Sequence, residues 1–220
     1  MDGSGRLFYR QVPLLAKRYR VATYRLRDEA PSMDVLVADL ASVIGPTPAV
    51  VVGESFGGTV ALSLALARPE LVAALVIINS FPRFLPQHRL HLAMLALKVL
   101  PWQTMPLVRR LTAFRLHSKY THRAEIRRFM ELTAETTRAG YLGRLGILTH
   151  YDVRARLGEI RAPTLLLASE HDHLVPSVEQ ARYMAARIPS AGFSILAGHG
   201  HICLIASNID LERILRDWRP

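Results

Sequence analysis

The chain has 220 residues, half of them hydrophobic, with 28 Lys and Arg against 18 Asp and Glu and a net charge of +10. That length suits one domain with room for a small insertion, and the apolar fraction excludes a disordered chain. A single cysteine, Cys203, excludes an intramolecular disulfide and fits a reducing compartment.

The first ten residues are polar and glycine-rich, with no apolar segment of signal-peptide type. A helical stretch is expected over 7–18. An extended run follows over 19–26, where Val21, Thr23 and Arg25 alternate with Ala22, Tyr24 and Leu26. A helix is predicted over 32–44, with Ser32 and Asp34 near its start and Gly45-Pro46 at its end. Ala49-Val50-Val51-Val52, bounded by Pro48 and Gly53, reads as a strand buried on both faces. An apolar helix over 59–68 stops at Pro69, and a second apolar strand covers 72–78. Further on come a strand at 163–168, a helix at 178–187 and a short strand at 193–196. A mostly helical close is expected over 201–218. Strands alternating with helices predict an α/β fold, a mostly parallel sheet flanked by helices.

Residues 81–160 interrupt this pattern. They carry helical periodicity broken at Pro82, Pro86, Pro101 and Pro106, with no convincing strand. This predicts an all-helical insertion between two core segments, 1–80 and 161–220. Its longest apolar run, 90–100, holds His91 and Lys98 and is too short to cross a bilayer. A cytoplasmic protein without a transmembrane segment is expected. The excess charge lies here: residues 81–161 hold 15 Lys and Arg and 5 acids, a net of +10, against 13 and 13 elsewhere. Such a surface attracts anionic substrates, acidic proteins or anionic lipid, or is simply a solvated arginine-rich face. No recognition motif or aromatic-interleaved basic stripe points to nucleic acid.

The chemistry-bearing residues fall in three places. Gly53-Glu54-Ser55-Phe56-Gly57-Gly58 lies between a strand and a helix. A serine on such a tight turn has a strained backbone and an exposed hydroxyl, and Gly53 and Gly57 supply the small neighbours it needs. The helix N-terminus directs free N–H groups at the site, and the Phe56 N–H would meet a developing oxyanion. Serine needs a base, and the base an orienting acid. Ser169-Glu170-His171-Asp172-His173-Leu174-Val175-Pro176 follows a buried strand and offers Asp172, with Glu170 the alternative. Ala197-Gly198-His199-Gly200-His201 offers His201 at a helix start, with His199 the alternative. The same histidines with Asp172 have the spacing of zinc ligands, a reading a serine elbow does not need.

These three segments, with the insertion before the second, resemble the α/β-hydrolase superfamily over nearly the whole chain. The resemblance implies Ser55 as nucleophile, Asp172 and His201 as acid and base, and the 81–160 insertion as a cap over the pocket. It also implies hydrolysis of esters, thioesters or related bonds with no metal or organic cofactor. By analogy, small carboxylesterases of the family dock an acyl carrier protein on a basic cap, so such an acidic partner is a candidate here. Phe84, Trp102, Phe114 and Phe129 would either line an acyl pocket or pack the helices.

The departure from the family lies at the start. Members place two or three strands and a His-Gly motif there, and the residue after that motif gives the second oxyanion N–H. Here Met1 stands at that position, followed by Asp2-Gly3-Ser4-Gly5. The strand bearing the motif would lie between 20–26 and 49–52, so the expectation is a shortened chain with N-terminal strands missing. Three functions follow as expectations. The first is a serine esterase or thioesterase. The second is an inactive binding protein of the same fold. The third is another reaction on the same triad, such as that of a perhydrolase, a lyase or a C–C bond hydrolase. Ser55 argues against the dehalogenase branch, which uses aspartate.

Overall fold

The computed structural model describes residues 2–85 and 87–218, without the side chains at 87, 89, 90, 109 and 111–115. Its described elements are α1 (Val12–Leu15), α2 (Met33–Ile44), β1 (Ala49–Glu54), α3 (Phe56–Ala67), β2 (Val72–Ile78), α4 (Gln87–Val99), α5 (Met105–Leu116), α6 (Arg123–Thr133), α7 (Arg138–His150), β3 (Thr164–Ser169), α8 (Ser177–Ala185), β4 (Ala191–Leu196) and α9 (Leu211–Trp218). The four strands form one parallel sheet in the order β1-β2-β3-β4. Parallel neighbours need crossovers, and each crossover here is helical. The α/β hydrolase fold expected from the sequence is the one observed.

Alternation along β2 and β3 feeds two cores. Leu75, Ile77, Leu166 and Ala168 pack against Leu62 and Leu64 of α3, Val37 of α2 and Met184 of α8. Val76, Ile78, Leu165 and Leu167 face the other way, onto Leu15, Cys203, Leu204 and Leu215. Both faces are covered, which is why these strands read as unbroken apolar runs. A third core joins Phe56 and Val60 of α3 to Leu97 of α4, Leu145 and Leu148 of α7 and Tyr151. That core ties α4 and α7 to the first turns of α3. Among the described residues the stretch 81–160 holds helices and no strand.

Three expectations need correction. The run at 19–26 forms no strand and joins no sheet, and most of it is exposed; its Leu26 N–H bonds the Gly3 carbonyl at 2.8 Å. A strand requires a neighbouring strand for its backbone groups, and β1 pairs only with β2 among the described residues. The helix expected over 7–18 is a short 3₁₀ turn, Arg6–Phe8, followed by the single-turn α1. The closing helix begins at Leu211, not near 201. Gln11, wholly buried, accounts for the last of these changes. Its amide donates to the carbonyls of Leu204 (2.7 Å) and Ile209 (3.1 Å) and accepts from the Leu211 N–H (3.0 Å). Those groups are satisfied by a side chain, and residues 202–206 pack as a buried apolar stretch outside any helix.

Candidate active site

Ser55 links β1 to α3 with φ 55° and ψ −121°, a conformation that costs a non-glycine residue about 1–3 kcal/mol. Its surroundings hold it there. The Ser55 N–H donates to the Ile78 carbonyl (2.9 Å), and its own carbonyl accepts from the Gly58 N–H (3.0 Å) and the Ser80 hydroxyl (2.7 Å). The turn is possible because β1 and α3 almost touch. A Cβ on Gly53 would stand 2.5 Å from the Gly57 carbonyl oxygen. One on Gly58 would stand 2.5 Å from the Ser80 side chain, while one on Gly57 meets nothing within 4 Å. The close approach therefore demands glycine at 53 and 58, not at 57 as the motif suggested.

Two loops bring their groups to this hydroxyl. His201 Nε2 lies 2.9 Å from Ser55 Oγ, and His201 Nδ1 lies 2.7 Å from Asp172 Oδ2. Asp172 follows β3, and its side chain is 1% exposed. Its Oδ1 accepts the N–H groups of Leu174 (2.9 Å) and Val175 (3.0 Å), and Oδ2 also accepts the Ser177 hydroxyl (2.5 Å). Burial alone would raise its pKa. The His201 and Ser177 hydrogen bonds and the Val175 N–H outweigh that and hold the carboxyl below its ordinary value. An ionised Asp172 draws the imidazole proton to Nδ1 and leaves Nε2 free to accept from Ser55. The arrangement can therefore lift a proton from a serine hydroxyl.

The alternatives lie elsewhere. His199 bonds Ser118 Oγ at 2.8 Å and packs tilted against the Tyr120 ring, and burial followed by the Lys119 charge lowers its pKa. Glu170 accepts the Gly198 N–H at 2.8 Å. His171 and His173 line a cleft with His117 and Lys119. Among the described residues no three His, Cys, Asp or Glu side chains converge as a metal-holding group. Phe56 opens α3, so its N–H belongs to the first turn, which has no intrahelical acceptor. Met1 lies outside the described residues.

The profile of the alpha/beta hydrolase family matches residues 3–210. The chain belongs to that family. Among its relatives is a RutD protein of Serratia proteamaculans, assigned as a carbamate hydrolase. It is 27% identical over 234 residues, covering 99% of this chain and 87% of the relative. A pimeloyl-[acyl-carrier protein] methyl ester esterase of Aromatoleum aromaticum is 30% identical over 193 residues, covering 78% and 74%. A solved thermophilic esterase from Thermogutta terrifontis superposes with TM-score 0.86 over 98% of this chain and 85% of its own, at 19% identity. This hydrolase has no described helix long and apolar enough to cross a membrane.

Sequence reading passed over Asn79 and Ser80, which follow β2 and are 1% and 3% exposed. The signal was present only as a buried polar pair closing an apolar strand. It also left Glu54 unread. Burial pushes that carboxyl up to about 7, against opposition from His201 and the Cys203 backbone. Of the four aromatics named in the insertion, Phe84 packs edge-on to Phe81 at 5.1 Å. Trp102 packs against Tyr141 at 6.1 Å, and Phe129 against His117 at 4.9 Å. The Phe114 side chain lies outside the described residues.

Proposed function

We propose that this family member is a serine hydrolase that cleaves a carboxylic ester or thioester through an acyl-enzyme. The observation that carries the reading is the continuous chain from Ser55 Oγ through His201 to Asp172, with links of 2.9 and 2.7 Å. Ser55 Oγ attacks the acyl carbon while His201 Nε2 takes its proton. Asp172 holds the resulting imidazolium in place. The Phe56 N–H donates to the oxyanion of the tetrahedral intermediate. His201 then gives its proton to the departing alkoxide or thiolate. Water enters, His201 accepts its proton, and the second collapse frees the acid and restores Ser55.

The helical segment 81–160 is the candidate cap. Leu97, Leu145 and Leu148 pack with Phe56, so the segment adjoins the residue next to the nucleophile. Its fourteen bases and five acids suit an acidic partner. An acyl group on a carrier protein, as in the name of the Aromatoleum relative, is the candidate of that kind. Carbamates present the same attacked carbon and are the second substrate class to try, on the name of the Serratia relative. The test is turnover by the whole chain on matched p-nitrophenyl esters, acyl thioesters and aryl carbamates, with Ser55→Ala as control. Saturable ester or thioester turnover lost in Ser55→Ala supports the reading. Binding without turnover favours an inactive member of the fold.

A further inference from the structure

Ser55, Asp172 and His201 arrive on three separate connections, after β1, after β3 and after β4. One short stretch at the end of β2 bonds to Ser55, to the His201 loop and to the end of β3, three residues before Asp172. The Ile78 carbonyl accepts the Ser55 N–H, and the Ser80 hydroxyl donates to the Ser55 carbonyl. Between them, the Asn79 N–H donates to the Leu167 carbonyl of β3 at 3.0 Å. Its Oδ1 accepts the Ser169 N–H at 2.8 Å. Its Nδ2 donates to Ser169 Oγ at 2.9 Å and to the His201 carbonyl at 2.8 Å, with Cys203 Sγ at 3.5 Å.

The backbone explains how neighbours reach opposite ways. Asn79 has φ 47°, in the left-handed region that asparagine tolerates better than most residues. That turn sends the Asn79 amide toward β3 and the His201 loop, and the Ser80 hydroxyl toward Ser55. An aliphatic residue would leave the His201 carbonyl and the Ser169 N–H without these partners in a buried site. Glycine at 58 completes the device, because a Cβ there would strike Ser80.

We propose that Asn79 and Ser80 form a positioning clamp, in which Asn79 sets His201 against Asp172 and Ser80 sets Ser55 against His201. Neither is a catalytic residue. They act on the rate of proton transfer through the placement of the other three, so the inference rests on the serine-hydrolase reading. Asn79→Gly is the discriminating variant. Glycine adopts a positive φ freely, so it removes the amide without adding backbone strain.

Asn79→Gly is expected to lower kcat by about 10²-fold with KM little changed, since a misplacement near 1 Å costs about that factor. Rates are normalised to folded protein by circular dichroism and active-site titration. Ser80→Ala, which leaves the Gly58 N–H on the Ser55 carbonyl, is the second variant should Asn79→Gly fail to fold. It is expected to lower kcat about tenfold, the size of one mispositioned contact. The proton between His201 Nδ1 and Asp172 gives a spectroscopic readout independent of turnover. Its downfield NMR resonance is expected in the wild type and lost or broadened in Asn79→Gly. Wild-type kcat in Asn79→Gly, or an unchanged resonance there, overturns the clamp, as does absence of the resonance from the wild type. A wild type that shows the resonance but turns nothing over sinks the hydrolase reading instead, and the variant's spectrum alone then decides the clamp.

Discussion

Replacing Asp172 by asparagine exchanges one oxygen of a buried side chain for an NH₂ and reverses the logic of the site. In the native protein Oδ1 accepts two backbone N–H groups, and Oδ2 faces His201 Nδ1 at 2.7 Å. The oxygen of the new amide would stay on the Leu174 and Val175 N–H groups, because an NH₂ there would oppose two donors. Its nitrogen then points at His201 Nδ1, which must accept. The imidazole proton moves to Nε2 and faces Ser55, so the base is blocked. Wrong-tautomer variants of this kind lose about 10⁴ in kcat, or about 5.5 kcal/mol at 1.36 per tenfold. The packing is nearly isosteric, so folding should survive. Steady-state hydrolysis of the best ester, with mass-verified Asp172→Asn, measures the effect. A variant within tenfold of wild type would refute the assignment of Asp172 as the orienting acid.

Further outcomes follow from the same geometry. Gly53→Ala and Gly58→Ala should each destabilise by about 1–3 kcal/mol through overpacking, while Gly57→Ala should be nearly neutral, as read by urea denaturation. Gln11→Ala strands two carbonyls and an N–H and should cost about 2–4 kcal/mol in the same assay. Glu54 binds its proton more tightly folded than unfolded, so stability should fall as pH rises from the ordinary 4.5 toward about 7. Glu54→Gln should remove that slope, and parallel slopes in the two proteins would contradict the burial of its charge.

The three side chains that meet in the candidate site were legible because each sits in a short local pattern. A serine between two close-packing glycines, an acid after a buried strand and a histidine before the last helix all announce themselves within a few residues. The exchange of Gly57 for Gly58 shows the limit of such patterns, since which glycine meets the end of β2 depends on Ser80, further along the chain. Asn79 was illegible for the same reason: its partners lie 90 and 122 residues away. Alternation at 19–26 suggested a strand, but pairing depends on a neighbour that no local pattern reports. The closing helix was over-extended because Ile202-Cys203-Leu204-Ile205-Ala206 is apolar enough for a helix. Gln11 takes backbone groups of that stretch instead.

The central claim is that Ser55 is a nucleophile activated by His201. The most direct measurement is labelling of the folded chain with a fluorophosphonate, followed by peptide mapping. One adduct on Ser55 is predicted, absent from Ser55→Ala and formed far more slowly in His201→Ala. An unlabelled folded wild type, or an adduct on another residue with Ser55 untouched, would contradict the account.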